Sequence, residues 1–295
     1  MFRVIFVILY ILEVFMRSLF AKLLFVLVFA FFQLDLHGET DFSNVPCEVK
    51  FLLDQKVLDS ADKTKISAAY KEVFGLNKES AAAIAYIDTE NCDFYKEKWI
   101  NRIRVKGKSR MCEYTFKKRY PIFEENLDSV FEDATAEGLC EENGFSLKID
   151  WELSGMVLDC KYDATLPMLG YGRILFPEIS DSVRIAGNIM PEQESNAKKK
   201  NWGSRLLKYA LYKGPVFALQ YKGTFCDKKI TIEVWPIENQ KTKTVRYLAE
   251  LSFNENSLEE AKRYRTLIME KLSEMKVLER DSTLKTRAVF EAYTK

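Results

Sequence analysis

The sequence of 295 residues contains a single histidine, His37, which lies near the N-terminus. The rest of the chain therefore cannot form a Ser-His-Asp triad, a Cys-His dyad or a histidine-ligated zinc site. Any chemistry beyond residue 38 must use carboxylates, lysine, arginine, tyrosine or thiols.

Neither sign of charge is in excess. The chain carries 44 Lys and Arg against 43 Asp and Glu, and the part after residue 38 carries 41 of each. Proteins that bind nucleic acid without sequence preference carry a clear basic excess. The composition therefore excludes a general nucleic-acid-binding protein, and 47% hydrophobic with 29% charged residues is typical of a globular chain.

The chain also lacks an apolar run of the roughly 20 residues that a membrane-spanning helix needs. Residues 4–12 and 23–32 are shorter apolar runs, and the second follows Met16 and two basic residues. That order is typical of a secretory signal whose translation starts at Met16. We therefore predict that residues 1–38 are a signal peptide and that residues 39–295 are exported from the cytoplasm. An uncleaved N-terminal membrane anchor is the alternative.

Six cysteines follow residue 38, and no two have the separation of a redox or metal-knuckle motif. They are Cys47, Cys92, Cys112, Cys140, Cys160 and Cys226. Disulfide bridges and buried free thiols both remain open, and the spacing does not choose a pairing.

Alternating or β-branched composition predicts nine β-strands. They cover residues 45–53, 83–88, 99–106, 111–119, 145–153, 156–162, 215–225, 229–235 and 245–253. Helical spacing and capping residues predict helices at 60–74, at 123–137, from Ser257 to about 276, and after Ser282. We expect one α+β domain over residues 39–295, with a large antiparallel sheet, flanking helices and an irregular insertion around 165–203.

Charged side chains share one face of these strands, because alternate residues of a strand point the same way. The alternating sets include Glu48 with Lys50, Arg102 with Arg104, and Glu113 with Lys117 and Arg119. Two interpretations stay open. Either the charged face of a sheet lies in water, or a closed barrel turns it inward to line a wet tunnel.

Four short motifs have the order and spacing of a known superfamily. They are Glu48-Val49-Lys50, Tyr86-Ile87-Asp88-Thr89, Asn101-Arg102-Ile103-Arg104 and Glu113-Tyr114-Thr115-Phe116-Lys117. Two later segments, around Glu233 and Glu250, are similar to its carboxylate-bearing strands. Over about residues 45–120 and 215–276 the sequence resembles the CYTH, or triphosphate tunnel metalloenzyme, superfamily.

The resemblance implies a fold, a cofactor and a set of site residues. The superfamily fold is an eight-stranded antiparallel barrel enclosing a tunnel, and its enzymes act on triphosphate compounds with Mg²⁺ or Mn²⁺. By resemblance, phosphate is bound by Lys50, Arg102, Arg104, Lys117 and Arg119. By resemblance also, the metal is held by Glu48, Glu113, Glu233 and Glu250. The implied partner is a small anionic or phosphorylated ligand, and no residue is assigned as catalytic.

The sequence departs from the superfamily in its first strand, where two glutamates normally precede the lysine. The first of these positions is Pro46 here, so half of the principal metal pair is missing. We therefore expect an exported tunnel protein that binds an anion, with catalysis doubtful. The alternatives are a divalent-metal-dependent tri- or polyphosphate phosphohydrolase and a secreted structural or interaction protein without a ligand site. Membrane contact is expected only through an uncleaved N-terminal segment.

Overall fold

The structure is a computed structural model that describes residues 45–107, 111–123, 126–167, 176–280 and 285–294. The predicted signal peptide, residues 1–38, lies outside the described residues, as does the part of the predicted insertion from 168 to 175. None of the helices in the described ranges is long and apolar enough to cross a membrane.

The described part of the chain contains nine β-strands that close into a barrel. In chain order they are β1 (Cys47–Leu53), β2 (Lys78–Thr89), β3 (Trp99–Lys106), β4 (Met111–Ile122), β5 (Ser146–Glu152), β6 (Gly155–Pro167), β7 (Ala210–Phe225), β8 (Lys228–Glu238) and β9 (Val245–Glu255). Around the barrel the order is β1-β5-β6-β4-β3-β2-β7-β8-β9, and β9 pairs back with β1. Strands β1 and β5 are parallel, and the other neighbours are antiparallel.

This architecture confirms a closed α+β barrel with flanking helices and corrects two finer points. The barrel has nine strands in the described residues rather than eight, and it is mixed rather than wholly antiparallel. The second correction follows from the first. Strand directions cannot alternate all the way round a closed ring with an odd number of members, so at least one neighbouring pair must be parallel.

Helices of very different length connect and cover the strands. Those described are α1 (Ala68–Val73), α2 (Asp93–Lys96), α3 (Leu127–Ala136), α4 (Ile179–Ile189), α5 (Glu192–Ser195), α6 (Trp202–Leu206), α7 (Leu258–Glu274) and α8 (Lys285–Tyr293). The predicted cap of α7 is confirmed, since the Ser257 hydroxyl accepts a hydrogen bond from the Glu260 N–H.

The predicted helix over 60–74 is wrong in its first half, because α1 begins only at Ala68. The Asp59 carboxylate accepts hydrogen bonds from the N–H groups of residues 61 and 62, and Asp62 accepts one from Thr64. These side chains offer the backbone local turns in place of helical bonds. The predicted stop is correct, and Gly75 follows the helix with a left-handed φ of 54°.

The two faces of the barrel wall differ in polarity. On β1, Val49 and Phe51 are buried on the face that is opposite Glu48 and Lys50, and α7 packs against β1 and β9. Glu48 and Lys50 line a cavity enclosed by the strands. The structure therefore agrees with the second interpretation of the charge alternation, in which a closed barrel turns its charged face inward.

Helix α8 fills one end of the barrel interior with apolar side chains. Val289 and Phe290 are buried in one cluster with Ile84, Ile237 and Leu248, which lie on β2, β8 and β9. The ring of Phe290 lies 4.3 Å from that of Tyr95, centroid to centroid. The C-terminal helix is thus part of the barrel core.

All six cysteines are described, and all are free thiols. Burial raises the pKa of Cys47 and Cys160 to about 12 and that of Cys112 to about 11. These thiols are structural, since the thiolate is the reactive form and burial disfavours it.

Candidate functional site

The inward-facing side chains of the barrel enclose a cavity of about 490 Å³. Each of the nine strands contributes to its lining, and α8 contributes Lys285 and Thr286. Side chains at every second position of a strand meet here because the closed sheet turns one face of each strand toward the barrel axis.

Basic groups outnumber acidic ones in the cavity, although the chain after residue 38 is neutral. Nine basic side chains line it: Lys50, Arg102, Arg104, Lys117, Arg119, Lys148, Lys161, Lys222 and Lys285. Five acidic side chains line it: Glu48, Asp150, Asp159, Glu233 and Glu250. The site therefore has a local excess of four positive charges and attracts anions.

Asp150 is the centre of the ion pairs on the β1–β5 side of the cavity. Its carboxylate is fully buried and pairs with Lys50, with Lys148 at 3.2 Å and with Arg119 at 3.4 Å. Burial alone would raise the pKa of Asp150, but these cations outweigh burial and hold the pKa well below its usual range. Glu48 pairs with Lys50 at 3.4 Å and also with Lys148.

A second set of ion pairs joins β4 to β6. The Lys117 ammonium lies 2.6 Å from Asp159, and the Arg119 guanidinium lies 2.9 Å from the other oxygen of the same carboxylate. Burial, together with the neighbouring Arg119 charge, lowers the pKa of Lys117 to about 8. Since the charges of Arg119 and Lys50 act against the charged form of Lys117, an anion that enters the cavity would favour that charged form.

Glu233 and Glu250 carry the negative charge on the β8–β9 side. Glu233 lies 2.5 Å from Arg104 and 2.5 Å from Lys285, and Glu250 lies 2.7 Å from Lys285. The Trp235 indole N–H also donates to Glu233 at 3.1 Å. Burial would raise the pKa of Glu233, but Lys285 and Arg104 outweigh it and hold the pKa well below its ordinary value.

Arg102 has no carboxylate partner among the described residues. Its guanidinium donates to the Thr115 hydroxyl at 3.1 Å, and that hydroxyl donates in turn to Asp163 at 2.7 Å. The Arg102 Nε–H is buried and has no hydrogen-bond partner in the described part of the chain. A half-buried guanidinium that lines a cavity without a direct carboxylate partner among the described residues is a ready donor for an anion.

In the structure, the carboxylates that the resemblance assigns to a metal are paired with basic side chains instead. Mg²⁺ and Mn²⁺ need oxygen ligands that are free to coordinate, whereas every glutamate that the resemblance assigns to a metal is bonded to an ammonium or guanidinium group. The pairs are Glu48 with Lys148, Glu113 with Lys106, Glu233 with Lys285 and Arg104, and Glu250 with Lys285. The described residues contain no group of three acidic, cysteine or histidine side chains placed to hold a metal ion.

The structure brings eight of the nine predicted site residues to this cavity, and their ligand roles stay predictions. Glu113 does not line it, because it lies farther along the same face of β4, where it pairs with the exposed Lys106. Sequence reasoning missed five charged lining residues that obey the same alternation on β5, β6 and β7: Lys148, Asp150, Asp159, Lys161 and Lys222. It also missed Lys285, for which strand alternation gives no signal.

The sequence matches no family model, and no curated protein matches it either. Solved structures do resemble it. A Hippeastrum protein described as an adenylyl cyclase with a dominant triphosphatase activity has a TM-score of 0.50 at 12% identity, over 84% of this chain and 96% of that one. A candidate adenylate cyclase from Bacillus halodurans has a TM-score of 0.42 at 11% identity, over 83% and 96%. A Pyrococcus horikoshii protein has a TM-score of 0.41 at 10% identity, over 83% and 98%. The likeness to the Hippeastrum protein lies in the fold, and the chain therefore has the CYTH-like tunnel fold.

Proposed function

We propose that the barrel cavity binds a small phosphorylated or otherwise polyanionic ligand and does not cleave it. The observation that carries the proposal is the excess of basic side chains in an enclosed cavity. Among them is Arg102, which donates to a hydroxyl and not to a carboxylate. Hydrogen bonds from charged donors to phosphate oxygens are among the strong ones in proteins. The dominant triphosphatase activity of the Hippeastrum protein makes tripolyphosphate a rational probe.

Two features support binding without turnover. Pro46 stands where the superfamily has the first of two metal-binding glutamates, and the remaining carboxylates of the cavity are ion-paired. Phosphoryl transfer depends on neutralising and positioning the phosphates. This cavity offers the neutralising cations without the acidic group that would hold a metal beside them.

The test is calorimetric titration of the protein with tripolyphosphate in EDTA, together with thermal unfolding and an assay of phosphate release. We expect stoichiometric binding, stabilisation by mass action and no phosphate release. Arg102→Ala should weaken binding tenfold or more, because a charge-assisted hydrogen bond contributes about 1.5–3 kcal/mol. It should lower the free energy of unfolding by no more than about 1.5 kcal/mol, since it breaks no ion pair among the described residues and removes a half-exposed hydrogen bond to Thr115.

Arg184→Ala is the matched control, because Arg184 lies on the exposed surface of α4, away from the cavity lining, and pairs with the exposed Asp181. Its affinity for tripolyphosphate should equal that of the wild type. Absence of binding in the wild type would refute the proposal. Phosphate release that requires Mn²⁺ would instead establish the metal-dependent phosphohydrolase.

Export is a separate part of the proposal. Residues 1–38 have the basic start and apolar run of a secretory signal, which would place the ligand outside the cytoplasm. The N-terminal sequence of the protein purified from its natural source tests this. A mature chain beginning near residue 39 supports export, and an intact N-terminus refutes cleavage.

A further inference from the structure

Lys285, the first residue of α8, is inserted between two carboxylates of the barrel wall. Its ammonium lies 2.5 Å from Glu233 and 2.7 Å from Glu250. It also lies 5.1 Å from the ring centroid of Trp235, so one face of the lysine is covered by an aromatic ring. A cation held by two buried carboxylates and an aromatic face is strongly fixed.

Glu233 and Glu250 need a cation between them. They are directly opposite each other in the β8–β9 ladder and are both buried. Like charges opposite each other across a strand pair repel, and burial increases the repulsion. A divalent metal ion or a basic side chain can occupy such a position.

The packing of α8 anchors the lysine there. The next residue, Thr286, shares a hydrogen bond of 3.1 Å with the Tyr86 hydroxyl inside the barrel. Val289 and Phe290 are buried in the apolar cluster at the same end. The ammonium is therefore tethered to the barrel core by its own helix and requires no uptake from solution.

We propose that the ammonium of Lys285 takes the place of a divalent cation at the Glu233–Glu250 pair, so that the cavity accepts its anion without metal. A metal ion at these oxygens would lie next to Lys285 and also next to Arg104, which is 2.5 Å from Glu233. Coulomb repulsion from two neighbouring positive groups excludes it. Only the second half of the proposal, on the anion, rests on the proposed function.

The test of the first half uses Mn²⁺ alone, without any phosphate compound. We expect the wild-type protein to bind no Mn²⁺ in a titration followed by electron paramagnetic resonance. Lys285→Met keeps most of the side-chain stem and removes the charge, and it should bind one Mn²⁺ with a Kd at least tenfold below the highest Mn²⁺ concentration at which the wild type shows no binding. Lys285→Arg keeps the charge and should exclude Mn²⁺ as the wild type does. Lys285→Met combined with Glu250→Gln should lose the new site.

The possible results of the Mn²⁺ titration each support or overturn the proposal. Stoichiometric Mn²⁺ binding by the wild type that Glu250→Gln abolishes would overturn the proposal, as would a folded Lys285→Met that binds no Mn²⁺. If Lys285→Met fails to fold in EDTA but folds in Mn²⁺, the proposal is supported, and failure in both conditions overturns it.

The second half is tested by tripolyphosphate binding in EDTA. Binding that appears only with Mn²⁺ would overturn metal independence. Absence of binding in both conditions would refute the proposed function, while the Mn²⁺ titration of Lys285→Met would still test the tethered cation independently.

Discussion

The barrel interior has two ends that are built from the same strands with opposite chemistry. Along β3 the inward-facing residues run from Arg104 and Arg102 to Ile100, and along β8 they run from Glu233 to Ile237. One end is charged and encloses the cavity, whereas the other is apolar and is filled by α8. Alternation decides which side chains face inward, whereas residue type along the strand decides whether the interior is charged or apolar at each level.

The largest effect is expected at Asp150, in the charged end. Asp150→Ala leaves Lys50, Lys148 and Arg119 without their shared buried partner, and breaking a buried ion pair costs about 3–5 kcal/mol. The free energy of unfolding, measured with urea, should fall by that amount. Tripolyphosphate should stabilise this variant more than it stabilises the wild type, because the anion neutralises the basic side chains that have lost Asp150 as a partner.

Asp181→Ala is the control, since Asp181 forms an exposed pair with Arg184 at 2.9 Å. Exposed pairs contribute at most about 1 kcal/mol, so this variant should retain nearly all its stability and its response to the anion. An Asp150→Ala protein as stable as the wild type would show that the charged end does not depend on buried pairing.

A smaller effect is expected at Val289, in the apolar end. Val289→Ala removes two buried carbon atoms from a fully buried side chain and should cost about 2 kcal/mol in urea unfolding. Val73→Ala, at an exposed position of α1, should cost less than about 0.5 kcal/mol.

The binding experiment sharpens the distinction between the two ends. Val289→Ala should keep its affinity for tripolyphosphate within about threefold of the wild type, since its side chain does not line the cavity. If Val289→Ala weakens binding as much as Arg102→Ala does, the charged end and the apolar end are not independent of each other.

The positions of the strands along the chain could be predicted from the sequence, but which strands lie next to each other in the barrel could not. Alternation located all nine, from β1 to β9, because it is a property of each segment alone. Which strands pair depends on the path of the chain, so the parallel contact of Cys47 with Ile149 left no local signal. The number eight came from the resemblance rather than from the residues.

The candidate site was predictable to the extent that it follows strand alternation. The same rule that identified Arg102 and Arg104 also applies to Lys148 and Asp150, which extend the pattern. Lys285 shows the limit of sequence reasoning. Its spacing places it on the helix face of Val289 and Ala292, yet nothing local indicates that this face enters the barrel and meets Glu233.

The last prediction concerns two buried carboxylates that differ in their partners. Glu233 is paired with cations, whereas Glu194 has no cation beside it in the described part of the chain. Glu194 on α5 is fully buried, and neither carboxylate oxygen has a hydrogen-bond partner in the described ranges. Burial raises its pKa from the ordinary 4.5 to about 8. The folded protein therefore holds a proton that the unfolded chain releases, and unfolding free energy falls as pH rises from about 4.5 to about 8.

Glu194→Gln keeps the shape of the side chain and removes this titration. It should match the stability of the wild type at pH 5 and exceed it by at least about 1 kcal/mol at pH 8, because the wild type loses the stabilisation from its retained proton as the pH rises toward the folded pKa. Glu270→Gln, at an exposed position of α7, is the matched control and should stay within about 0.5 kcal/mol of the wild type. Urea unfolding at the two pH values measures both variants. Equal stabilities of Glu194→Gln and wild type at pH 8 would mean that Glu194 ionises in the folded protein without cost. A buried carboxylate would then need no neighbouring cation, and Glu194 and Glu233 would not differ in this respect.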